Sequence, residues 1–153
     1  MSEFVLRPGS TGVLVPGAKA PDTRPLLSLL HEVARTNRLV LTATRIEAVR
    51  SFRAWTLSHM SGSTLSVVVH RIVPVFALVD APAVDLAVGR HVIDRYEAEL
   101  ERSCEVGWHR LGSAEAQVTA NSKVTAGLAA AELKEIAYWK PATVGELLFN
   151  HWD

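Results

Sequence analysis

Cysteine is nearly absent from this chain. Cys104 is the single one in 153 residues, so no internal disulfide can form and cysteine alone cannot assemble a zinc site. An excess of charge of either sign is also missing, since 16 Lys+Arg balance 16 Asp+Glu. A non-specific nucleic-acid binder needs a basic surplus to displace counterions, so no nucleic-acid partner is expected. The apolar runs fall well short of the ~18–20 residues that span a bilayer. Met1–Arg24 lacks the charged-then-apolar plan of a secretory leader. These absences predict a soluble, cytoplasmic chain with no membrane partner. Gly-x-Gly-x-x-Gly, P-loop, His-Glu-x-x-His and Gly-x-Ser-x-Gly patterns are missing, and neither His31 nor His91 has a second histidine one helical turn on. A nucleotide fold, a zincin and an α/β-hydrolase lose ground accordingly, and neither metal nor cofactor is expected.

What is present suits one globular domain. The chain is 48% hydrophobic and 21% charged, too apolar and too evenly charged for disorder. Residues 1–25 hold four of the seven prolines and three of the nine glycines. That punctuation predicts an arm, with at most edge strands at Phe4–Leu6 and Val13–Val15, ahead of a domain over 26–153. Leu26, Leu29, Leu30 and Val33 recur at helical spacing, with Asp22 or Thr23 as cap, Pro25 in the first turn and a stop near Asn37. Leu39–Thr44 alternates like a strand. Ser61-Gly62-Ser63 marks a turn, which predicts a hairpin of Ile46–Leu57 with Thr64–Val73, broken at Pro74. Val84–Cys104 reads as a helix, with Leu86, Val92, Ile93, Tyr96, Leu100 and Cys104 on one side. Helical propensity fills Val124–Ala137, and Thr143 with Glu146 spells a capping box before a last short helix. Segregated strands and helices imply a compact α+β domain, an antiparallel sheet with helices packed on one face.

Three groups of residues carry possible chemistry. Arg35, Arg38, Arg45, Arg50 and Arg53 lie within nineteen residues, opposed only by Glu47. On one continuous strand Arg45, Glu47, Arg53 and Trp55 would share a face. Guanidinium forks beside a tryptophan can hold a carboxylate or phosphate; the same arginines can equally lie over a solvated sheet face. His70-Arg71 interrupts the most strand-like run. His70 is a candidate general acid or base with Glu47 as partner and Arg71 as a further binding group, or else a hydrogen-bonded core histidine. The third group is the segment from Trp139 to Trp152. It is either a core-closing helix or a lid and partner face in which His151 and Trp152 touch a ligand.

Over residues 26–103 the order helix, strand, strand ending in Val-Val-Val-His-Arg-Ile-Val-Pro, helix is loosely similar to chorismate lyase-like and related effector-binding domains. That resemblance implies a sheet whose arginine holds a small carboxylate, and no residue role is carried over from it. Three functions remain open. One is a small metal-independent enzyme, of lyase, isomerase or cyclase type, acting on a small anionic molecule in an apolar pocket. The others are a non-catalytic small-molecule binding or resistance protein, and an immunity-type or accessory interaction module using the C-terminal aromatics. Homo-oligomerisation is left open.

Overall fold

The computed structural model describes residues 4–13, 17, 19–46, 51–85 and 87–152. The leucine stripe forms helix α1 (Arg24–Thr36), with Pro25 in its first turn. Asp22 Oδ1 accepts the Arg24 N–H at 3.0 Å, and Asn37 closes the helix by donating from Nδ2 to Val33 O at 2.9 Å. The chain then runs an antiparallel meander: β1 (Leu39–Thr44), β2 (Phe52–His59), β3 (Thr64–His70), β4 (Val75–Val79) and β5 (Val92–Ile93). The register sets Leu41 against Leu57 and Leu57 against Leu65, and it sets Phe52 against His70. Strand β6 (His109–Arg110) pairs with β4 in parallel, which makes the sheet mixed.

The segments after β5 are short: α2 (Glu97–Leu100), α3 (Ser113–Ala116), α4 (Ser122–Thr125), α5 (Ala130–Trp139) and α6 (Val144–Leu148). The long helix expected over Val84–Cys104 is not formed. Val92 and Ile93 pair with Val79 and Leu78 instead, since β-branched residues gain more on a pleated surface than in a helix. Tyr96, at φ 55°, then breaks the helical path. Cys104 lies exposed rather than on a buried stripe.

The protein is a compact α+β domain, and its sheet is packed on both faces. Alternation along the strands sorts the side chains. Val67, Val69, Phe76 and Leu78 meet Leu26, Leu30 and Val33 of α1, while Phe52, Val68, Val75 and Ala77 meet Leu147, Leu148 and Phe149 of the C-terminal segment. Helices therefore cover more than the one face that segregation of elements suggested.

The arm is part of this second layer. Residues 7–12 fold into a tight turn, Ser10 N–H to Arg7 O at 3.0 Å and Gly12 N–H to Gly9 O at 2.9 Å. Gly12 sits at φ +85°, and a Cβ there would meet the Ser51 Cβ at 2.6 Å, so only glycine fits. Three buried side chains hold the turn. Glu132 Oε1 accepts from Gly9 N, Thr11 N and Thr11 Oγ1 at 3.0, 3.1 and 2.7 Å. His70 Nε2 donates to Ser10 O at 2.8 Å, and Asn150 Nδ2 donates to Thr11 O at 2.8 Å. No strand forms at Phe4–Leu6, and most of Val13–Val15 lies outside the described residues.

Candidate functional site

His70 ends β3 inside the protein, 1% exposed. Its Nδ1 accepts the N–H groups of Ile72 and Val73, both at 3.1 Å, which fixes the proton on Nε2 for the bond to Ser10. Every ring nitrogen is thus engaged with backbone. Burial, opposed only in part by the Ser10 bond, holds its pKa down to about 4 from the ordinary 6.5. Between those two values the unfolded chain binds a proton that the folded chain excludes. Stability should therefore be full above pH ~6.5 and fall by about 3 kcal/mol as pH drops through that window toward 4. Urea titrations at several pH values check this. His70→Gln should unfold more readily at neutral pH yet lose that share of the pH slope; an unchanged slope in the variant would refute the assignment.

Within the arginine group, Arg45 and Arg53 fall at one end of the β1–β2 pair. Glu47 lies outside the described residues, as does Arg50. Arg45 follows β1, and Arg53 and Trp55 belong to β2; the antiparallel register pairs Thr44 with Ala54 and Ala43 with Trp55, so Arg45 and Arg53 flank the last pair on neighbouring strands rather than sharing one strand. Arg53 is exposed and Trp55 half-buried on the face that α1 covers. Arg71 Nε reaches the Phe52 carbonyl at 3.4 Å. Arg53 opposes Val69, two residues before Arg71, and partial burial together with the charge of Arg53 lowers the Arg71 pKa. Three hollows of about 250–420 Å³ lie elsewhere on the surface, and Arg45, Arg53, Trp55 and Arg71 line none of these three.

The third group does converge. α5 ends at Trp139 because Lys140 adopts the left-handed conformation, φ 50°, ahead of Pro141. The turn leads into α6, where Thr143 Oγ1 accepts the Glu146 N–H at 3.3 Å. The Glu146 carboxyl, expected to complete a capping box, instead takes the Ala142 N–H at 2.8 Å and pairs with Arg90. This path brings the Trp139 and Trp152 rings together, centroids 6.3 Å apart and planes within 1° of parallel. Trp139 Nε1 donates to Glu135 Oε2 at 3.1 Å, and Tyr138, 75% exposed, packs its edge on the Trp139 ring.

The two indoles, Arg90, Lys140 and His151 border a hollow of about 250 Å³. Beneath it Phe149 is buried and completes the core. His151 Nε2 donates to Asp85 O at 2.8 Å, and its ring meets Phe52 edge-on. Stacked faces of this kind accept flat or ring-shaped groups, and Lys140 beside them favours an acidic neighbour. The sequence separation of Trp139 and Trp152 concealed their contact; the Lys140-Pro141 break was the available signal that the chain doubles back. Among the described residues no three His, Cys, Asp or Glu side chains are grouped to hold a metal, and no helix is long and apolar enough to cross a membrane. Compared with known proteins, the chain matches no family model, no curated protein and no solved structure, so the similarity of element order to chorismate lyase-like domains has no support from them.

Proposed function

We propose that this protein is a non-catalytic interaction module that docks a partner protein on its Trp139–Trp152 face. The observation that carries the reading is the parallel indole pair, half-exposed beside an exposed tyrosine and two cations. Tryptophan, tyrosine and arginine are the residues on which interface energy concentrates. The hollow between them, about 250 Å³, lies below the ~300–1,000 Å³ usual for sites that engulf a metabolite; it suits a ring projecting from a partner's surface. Against the enzymatic reading stands the use of His70's whole hydrogen-bonding capacity inside the fold. A small anion held by Arg53 and Arg71 remains the second reading, favoured by the register that sets Arg53 opposite Val69, two residues before Arg71.

The test has two steps. A photo-crosslinking amino acid in place of Tyr138 identifies what docks, and affinity for that protein is then measured with Trp139→Ala and Trp152→Ala. Each substitution should weaken binding about 30-fold, or about 2 kcal/mol, with the melting temperature followed alongside. Unchanged affinity in the stably folded Trp139→Ala protein would overturn the reading.

A further inference from the structure

A second hollow, about 420 Å³, opens at the end of the sheet that carries the β2–β3 turn, and it shares no residue with the tryptophan face. Its floor is apolar: Leu39, Leu57 and Leu65 from three adjacent strands, joined by Tyr96. Asp80, at the end of β4, and Arg95, before α2, both line it. Neither has an ion-pair partner among the described residues, and they do not pair with each other. Arg24, Arg90, Arg102 and Arg110 each take a carboxylate. The Arg95 guanidinium lies 6.0 Å from the Tyr96 ring centre instead.

Two further features mark the place as built. Tyr96 holds a left-handed backbone, φ 55° and ψ 34°, a conformation costly for a bulky side chain and found where a site dictates it. His59 is oriented by its own turn, with Nδ1 accepting the Ser61 N–H at 3.1 Å and lying 2.8 Å from Ser61 Oγ.

An anion alone would leave Asp80 opposed, and a cation alone would leave Arg95 opposed. A ligand bearing both charges on an apolar body satisfies each. We propose that this hollow binds a small zwitterion with an apolar side chain, a free amino acid or a dipeptide. Its ammonium group meets Asp80, its carboxylate meets Arg95, and its side chain covers Leu39, Leu57 and Leu65. Charge-assisted bonds fix the orientation, and the volume fits the range of small-molecule sites.

Titration calorimetry with L-phenylalanine and L-leucyl-L-leucine tests it and separates the two sources. At least one should bind saturably. N-acetylation and C-terminal amidation of the binder should each weaken it about tenfold. Asp80→Asn should abolish the penalty for acetylation alone, and Arg95→Gln the penalty for amidation alone. Both residues are exposed, so the variants are expected to keep the parent melting temperature. Failure of both probes to saturate at tens of millimolar would overturn the proposal, as would penalties that persist unchanged in the variants.

Discussion

Glu132→Ala is expected to lower the unfolding free energy by about 4 kcal/mol, and the melting temperature on the order of 10 °C. The side chain is wholly buried, yet it is among the best-partnered groups in the protein. Besides the three bonds from Gly9 and Thr11, its Oε2 accepts the Ala129 N–H at 3.0 Å. One carboxyl thus joins the start of α5 to a turn more than a hundred residues earlier. Alanine would strand four donors, three of them in buried bonds. Each unsatisfied buried group costs about 1–3 kcal/mol, reduced where the chain can relax toward water. Glu132→Gln keeps the volume but presents an amide N–H₂ to one set of donors, so about half the loss is expected. Urea unfolding measures both. A loss below about 1 kcal/mol for the alanine variant would mean that the turn is held by other contacts.

Gly89→Ala should cost about 3 kcal/mol or more, against the helix-propensity expectation that alanine is the better residue. Val88–His91 forms a single 3₁₀ turn that crosses α6 where both chains carry glycine. A Cβ on Gly89 would fall well inside contact distance of the Gly145 carbonyl and 2.8 Å from Glu146 N. One on Gly145 would collide with the Gly89 carbonyl in return. Both obstacles are backbone, so no side-chain rotation relieves the clash, and the two segments must separate. That separation would also shift Arg90 and Glu146, which border the tryptophan face. Thermal unfolding of Gly89→Ala and Gly145→Ala checks the argument, and a neutral or stabilising result in either would contradict the crossing.

The parts of this fold that were legible in the sequence are those governed by local pattern. Leu26, Leu29, Leu30 and Val33 mark α1 because a helix must bury one stripe. Val67-Val68-Val69 marks a strand covered on both sides, and Gly62 marks the turn, at φ +93°. What escaped was set by distant partners. Val92 and Ile93 satisfy a helical wheel as well as a strand, and only the free edge of β4 decides between them. Glu132 lies in a stretch marked only by helical propensity, and the residues that use its carboxyl, Gly9 and Thr11, are more than a hundred positions away. For the candidate sites, the residue types in the C-terminal aromatic segment were visible while their pairing was not. Asp80 and Arg95 carried no pattern at all, and Tyr96 read as part of a helical stripe, since the three meet through the ends of separate elements. In the arginine cluster the single strand expected from Ile46 to Leu57 is not formed, and Arg45 and Arg53 are neighbours across two strands instead of along one.

The second layer has a consequence for the order of synthesis. Thr11 is bonded to Asn150, 139 residues away, and Ser51 to Leu148, 97 residues away. The meander β1–β5 is complete once residue 93 has been made, well before Leu147, Leu148 and Phe149 exist to cover it. A chain emerging from the ribosome therefore carries Val68, Val75, Ala77 and Val79 without that cover while the fifty or so residues between β5 and Leu147 are made. At ~5–20 residues per second that interval lasts seconds, long enough for a holding chaperone, or another nascent copy, to reach the bare face before the protein closes it.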